Sequence, residues 1–146
     1  MISCLEFVPA YSEAFKYIHE NKGQEEVVKL WEYLSDHYLK DSLEKAVREK
    51  GLAGCYEYWG KSLREEGADF TMTLDKDKEE FTIEMHRCPS KAMLLDLVFM
   101  EPYEDYCLHC DTLYRLVLEP LGYEYNMDFT GCEQGKCLLR VRKSNI

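Results

Sequence analysis

The chain has 146 residues, 46% of them hydrophobic and 13% aromatic, which suits one folded domain with a sizeable core and excludes general disorder. Its 28 acidic residues outnumber its 18 basic residues, and the formal net charge of −10 argues against a nucleic-acid partner. No apolar run has the length of a membrane span, and the N-terminus lacks the regions of a signal peptide. We therefore expect no membrane contact and a cytoplasmic location.

The first half of the chain has the apolar spacing of helices. Hydrophobic residues recur every three or four positions over 11–21 and over 24–39. Two further helices are predicted, one ending near Gly51 and one spanning 52–66. Residues 1–67 are therefore expected to form a helical part.

The second half changes to the two-residue period of β-strands. Alternating apolar and polar residues predict two hairpins with strands over 69–75, 80–87, 123–130 and 136–143. Between the hairpins we expect a short helix over 91–98 and a longer one from Pro102 to just before Pro120. Residues 68–146 then form a hairpin–helix–hairpin part. The predicted fold of the single domain 1–146 is α+β, with N-terminal helices followed by an antiparallel four-stranded sheet.

Five of the seven cysteines are grouped in the second half and are the best clue to function: Cys88, Cys107, Cys110, Cys132 and Cys137. Without export the thiols are expected to stay reduced, and an odd count argues against a complete disulfide framework. Thiols near a carboxylate can bind a metal or supply a nucleophile. The other two, Cys4 and Cys55, have no polar companions at useful spacing and are interpreted as core residues.

Cys88 is a candidate nucleophile. It precedes Pro89 and Ser90, where the chain turns from a strand into a helix, and the dipole of a helix stabilises a thiolate at its N-terminus. His86 lies two residues earlier and would point into the same space if helices cover that face of the strand. The alternative is that Cys88 is an inert thiol that fills the end of the strand.

The other four grouped cysteines have a spacing that suits a metal site. Cys107 and Cys110 share one face of a helix, and Cys132 and Cys137 flank a glycine-containing turn. Two such pairs make bound zinc possible, although a C-x2-C pair inside a helix is not the knuckle of a zinc ribbon. The alternative is that these thiols are small core residues. His109 lies off the apolar stripe and is expected on the surface.

Three segments of the second half resemble the L-2-amino-thiazoline-4-carboxylic acid hydrolase family: R-C-P at 87–89, C-x2-C-D at 107–111 and T-G-C-x4-C-x-L-x-V at 130–141. This resemblance implies an α+β enzyme that opens a carbon–nitrogen bond in a small cyclic amidine, giving a carbamoyl-cysteine product and requiring no cofactor. The chain is also similar to the 4-vinyl reductase domain, which has similar cysteines in its last hairpin. That similarity implies a non-catalytic sensor of a small molecule or a metal.

The hydrolase resemblance carries over to four residues: Cys88, Cys110, Asp111 and Cys137. In such an enzyme either of the first two thiols would attack the amidine carbon, and Asp111 would orient the thiol's partner or a water. His86 would move protons. Arg87 or Arg140 would hold a substrate carboxylate, and Cys137 would contact the substrate. The expected partner is a small-molecule substrate or ligand, and the sequence leaves the oligomeric state open, a homo-oligomer included.

Overall fold

The computed structural model describes residues 6–145. Its N-terminal helices are followed by one antiparallel sheet, and two further helices lie between the two hairpins of that sheet. The α-helices are α1 Phe7–Lys22, α2 Gln24–Tyr38, α3 Lys45–Lys50, α4 Leu52–Glu65, α5 Lys91–Asp96 and α6 Leu108–Leu118. The strands are β1 Asp69–Asp75, β2 Glu80–Arg87, β3 Tyr123–Asp128 and β4 Cys137–Lys143. The predicted α+β class is confirmed.

The two hairpins join through their inner strands, so that the sheet has the order β1-β2-β4-β3. Phe81 of β2 lies opposite Val141 of β4, and Met85 lies opposite Cys137. Because side chains alternate along a strand, these four point to the same face of the sheet. Glu84, one position before Met85, lies on the other face and is exposed.

Helices cover the apolar face of the sheet. α4 contacts β1 and β2, α6 contacts β3, and α2 packs against α6 with α1 beside it. The ring of Trp59 in α4 stacks on Phe81 with 5.6 Å between ring centroids. Behind α6, the rings of Phe15 and Trp31 meet edge to face and are almost fully buried. Within residues 6–145, none of the helices has the length and apolar character needed to cross a membrane.

The longer helix between the hairpins begins later than the sequence predicts. Residues 104–107 form turns, and α6 starts at Leu108 instead of near Pro102. The backbone N–H of Tyr103 donates to the Ser12 hydroxyl at 2.8 Å, so this segment is tied to α1 instead of continuing a helix. The delayed start leaves Cys107 outside the regular helix.

Candidate functional site

A cavity of about 660 Å³ lies between the covered face of the sheet and the helices. Much of its wall is apolar or aromatic, with Ile83 and Leu139 from the sheet, Trp59 from α4 and Tyr114 from α6. Size and lining are those of a site for a small organic molecule.

All five grouped cysteines line this cavity: Cys88, Cys107, Cys110, Cys132 and Cys137. A negative charge on the first of them would raise the pKa of each of the other four thiols, so Cys88 lies near all of them. The structure therefore brings together residues that lie as far apart in sequence as Cys88 and Cys137.

A close approach between the end of β2 and the β3–β4 turn holds these thiols in place. The backbone N–H of Cys88 donates to the carbonyl of Gly135 at 2.7 Å. Gly135 has a φ of +69°, and a Cβ at this position would lie 2.8 Å from the Cβ of Ala92 in α5. Only glycine combines that backbone conformation with that contact. The turn can therefore bring Cys132 and Cys137 to the cavity.

Cys88 lies at the point where the chain enters α5. Its carbonyl accepts a hydrogen bond from the Ala92 N–H at 3.1 Å, one turn ahead of the regular helix, and Pro89 follows it. Its Sγ accepts a hydrogen bond from the Lys91 N–H at 3.4 Å. This hydrogen bond ties the thiol to the first turn of α5.

Two hydroxyl groups line the cavity near Cys88. Ser90 Oγ lies 3.4 Å from Cys88 Sγ, and Tyr106 contributes its side chain to the same cavity. Burial raises the pKa of Tyr106, so the phenol stays protonated at neutral pH. The thiol and the Ser90 hydroxyl are close enough to exchange a proton.

The other four cavity thiols are held in the neutral form by burial. Desolvation raises the pKa of Cys137 to about 12 and that of Cys110 well above 9, and it also raises the pKa of Cys107 and Cys132. The core residue Cys55 has its pKa raised to about 12 in the same way, while Cys4 lies outside the described residues.

The four cysteines of the zinc interpretation share the cavity without forming a ligand group. Across residues 6–145, no three side chains of His, Cys, Asp or Glu are grouped so that they could hold a metal ion. The arrangement therefore gives the zinc interpretation no support.

His109 is buried, and the prediction of a surface histidine is wrong. His109 lies on one face of α6 with the buried residues Leu113 and Val117, four and eight positions later. Its ring packs among Tyr11, Phe15 and Trp31. Its Nδ1–H donates to the carbonyl of Tyr106, and Nε2 lies 3.6 Å from Cys110 Sγ. Burial lowers the pKa of His109 to about 4, so the imidazole is neutral. Because the thiol binds its proton far more tightly than this imidazole does, the proton stays on Cys110.

His86 and Asp111 do not line the cavity. The alternation of β2 places His86 on the open face, where Nε2 lies 2.8 Å from the Thr71 hydroxyl. Asp111 lies on the flank of α6 and forms an ion pair with Arg115 at 2.6 Å. The roles of proton carrier and thiol orienter therefore do not fit where these two side chains lie.

Neither predicted arginine reaches the thiols either. Arg87 pairs with Asp96, and Arg140 lies on the open face with its Nε 3.6 Å from a Glu80 carboxylate oxygen. The buried cation of the cavity is Lys91, whose side chain is 5% exposed and whose Nζ lies 3.7 Å from a Glu133 carboxylate oxygen.

Sequence reasoning missed Ser90, Lys91 and Tyr106 as cavity residues. The signal for the first two was the C-P-S-K order, because a helix that starts at Cys88 places Lys91 within its first turn. Tyr106 carried no such signal, since its position depends on the turns that precede α6. No protein-family model, curated protein or solved structure matches this chain. The family resemblance therefore depends on the motifs between residues 87 and 141 alone.

Proposed function

We propose that this protein is a hydrolase that opens a small cyclic amidine, with Cys88 as its nucleophile. The observation that carries the proposal is the position of Cys88 Sγ, which faces a cavity of small-molecule size and accepts a backbone hydrogen bond from Lys91 at 3.4 Å. The three motif segments, 87–89, 107–111 and 130–141, all contribute residues to this cavity. The resemblance of these segments to the hydrolase family implies the substrate class, an aminothiazoline carboxylate.

The reaction uses one water and returns the thiol to its starting form. The Cys88 thiol gives its proton, by way of the Ser90 hydroxyl, to the ring nitrogen of the substrate as its sulfur bonds to the amidine carbon. The ring carbon–nitrogen bond then breaks, and the departing nitrogen takes its second proton from the exocyclic amino group. Water attacks the same carbon, the carbon–sulfur bond to Cys88 breaks, and the exocyclic nitrogen stays on the carbamoyl product.

Lys91 is the group that holds the substrate carboxylate in this proposal. Its ammonium lies in the cavity wall within the same helical turn as Cys88, and its partner Glu133 is largely exposed. A buried cation gains most from an anion that arrives with little water around it. A carboxylate at Lys91 would place the rest of a small ring beside the thiols.

A second function, binding without turnover, has an observation of its own. Among the described residues, no imidazole or carboxylate forms a hydrogen bond with Cys88. The imidazole that lines the cavity, His109, lies within hydrogen-bond distance of Cys110 instead. A cavity that binds the ring but does not activate the thiol would be a sensor similar to the 4-vinyl reductase domain.

Incubation with L-2-amino-thiazoline-4-carboxylic acid separates the two functions. We expect a product that is one water heavier than the substrate, and Cys88→Ser should abolish its formation. Lys91→Met should raise KM at least about tenfold, the loss expected for a buried charged contact, whereas Arg87→Met should leave KM unchanged. Binding by calorimetry with no product favours the sensor, and no binding at all contradicts both functions.

A further inference from the structure

The cavity is larger than the ring that the proposed hydrolysis needs. Its volume of about 660 Å³ lies in the range of sites for drug-sized ligands, about 300–1,000 Å³. A single ring with one carboxylate fills only the part of that space beside Cys88 and Lys91. Apolar walls that contact no ligand atom lose the dispersion energy that such an atom would supply. The remaining space therefore has room for a further, apolar part of the ligand.

The floor of the cavity extends along β2 and β4, away from Cys88. Two neighbouring cross-strand pairs, Met85 with Cys137 and Ile83 with Leu139, lie on the covered face and line the cavity. At the rise of an extended strand, Ile83 and Cys88 are roughly 15 Å apart along the chain. A ligand held beside Cys88 can therefore extend over both pairs.

The inner end of this floor is enclosed by aromatic and aliphatic side chains. Trp59 of α4 lines the cavity there, and its ring stacks on Phe81, the residue of β2 that precedes Ile83 on the covered face. Tyr114 of α6 meets the Trp59 ring edge to face, with 5.0 Å between ring centroids, and lines the same wall. Trp59, Ile83 and Leu139 are all buried. This end therefore suits an apolar group and disfavours a charged one.

A buried cation lies at the other end of the cavity, beside Cys88. The Lys91 side chain is 5% exposed, whereas that of its ionic partner Glu133 is 75% exposed. The other charged residues of the cavity wall are exposed: Glu65, Glu66 and Lys136. Water weakens the field of an exposed charge far more than that of a buried one. The Lys91 ammonium therefore favours an anionic group at this end.

We propose that the ligand of this cavity is an amphipathic carboxylate, with its carboxylate at Lys91 and a large apolar group, alkyl or aryl, that extends over Ile83 and Leu139 to Trp59. The proposal rests on the role of Lys91 in the proposed function and adds the apolar group to the substrate. The proposed hydrolysis is unchanged, because the apolar group is not part of the amidine.

Straight-chain carboxylates test the apolar end without the ring. Binding of hexanoate and decanoate to the full chain is compared by calorimetry at neutral pH. Each further buried methylene favours binding by about fourfold, so decanoate should bind at least about thirtyfold more tightly than hexanoate. Lys91→Met should weaken decanoate binding about tenfold or more, because the carboxylate then loses its buried partner.

Two matched variants locate the apolar group. Leu139→Phe fills the inner floor and should remove most of the advantage of decanoate over hexanoate. Leu138→Phe makes the same change one position along, on the open face, and should keep that advantage. Met127→Phe, opposite Leu139 on β3 and also in the cavity wall, repeats the test if Leu139→Phe does not fold. Thermal unfolding of each variant checks that it is folded.

Three results would overturn the proposal. One is equal affinity for the two carboxylates, or no binding of decanoate. The second is a decanoate advantage that the cavity-filling variants leave intact, and the third is decanoate binding that Lys91→Met leaves unchanged. None of these results bears on hydrolysis, because the probes contain no amidine. Conversely, a failure to hydrolyse the aminothiazoline would remove the proposed reaction and leave the carboxylate result standing.

Discussion

The two faces of the sheet differ in what their side chains do. The covered face carries Phe81, Met85 and Cys137, which meet the helices and the cavity. The open face carries charged and polar residues such as His86, which lies 2.8 Å from the Thr71 hydroxyl, and Arg140, which forms an ion pair with Glu80. One step along a strand separates a cavity residue from one that cannot reach the cavity.

This difference explains why two candidate site residues that are close in sequence, His86 and Cys88, lie in different surroundings. His86 and Cys88 are two positions apart, so the regular alternation of a strand would place both side chains on one face of the sheet. The regular strand ends at Arg87, and the chain then turns into α5. Cys88 therefore leaves the pattern of the strand and faces the thiols, whereas His86 stays on the open face.

The largest expected effect comes from breaking the covered face. Phe81→Ala should lower the free energy of unfolding by about 3–5 kcal/mol, because Phe81 is fully buried and stacks on Trp59. Thr82→Ala, one position along on the open face, should cost less than about 1 kcal/mol. Urea denaturation of both variants checks this, and equal losses would show that both faces are covered in solution.

A second comparison sets the buried His109 against the open-face His86. The pKa of His109 is about 4 in the folded protein and 6.5 in the unfolded chain. Between these two pH values the unfolded chain therefore binds one more proton than the folded protein. Above pH 6.5 the burial of neutral His109 contributes fully to the free energy of unfolding. As the pH falls toward 4, that free energy decreases by about 3 kcal/mol.

His109→Gln should remove that part of the pH dependence of unfolding, and His86→Gln should keep it. Denaturation midpoints measured between pH 4 and 7 test the difference. An unchanged slope in His109→Gln would mean that the imidazole is accessible to water.

A smaller effect separates two glycine turns beside the sheet. Gly122 and Gly135 both have positive φ, so alanine at either should cost about 1 kcal/mol of backbone strain. Only at Gly135 would the new Cβ meet another residue, Ala92, at 2.8 Å. Gly135→Ala should therefore cost a further 1–3 kcal/mol, about the cost of overpacking. Equal losses of unfolding free energy would contradict the close approach.

Periodicity predicted most of the fold. The strand pattern from Phe70 to Met85 gave β1 and β2 with their observed bounds, because a half-buried sheet imposes strict alternation. The start of α6 was wrong, since it depends on the hydrogen bond from Tyr103 to Ser12, which joins distant segments. Local patterns carry no information about such a contact.

The candidate site was predictable only in part. The thiols that are grouped in sequence line one cavity, because hairpin ends and the helix between them pack together, whereas Asp111 does not line it. Which charged group accompanies the thiols was not predictable. Arg87 forms an ion pair with Asp96, and Arg140 forms one with Glu80. The turn that follows Cys88 places the Lys91 side chain in the cavity wall.

The rate of thiol alkylation, mapped residue by residue, tests the central claim most directly. Fully reduced protein is treated with a small amount of iodoacetamide near pH 7, and labelled peptides are quantified over time. Cys88 should react at least about tenfold faster than Cys137 or Cys55, whose pKa values are both raised to about 12 by burial. If Cys88 labels no faster than Cys55, it is not the nucleophile of this cavity.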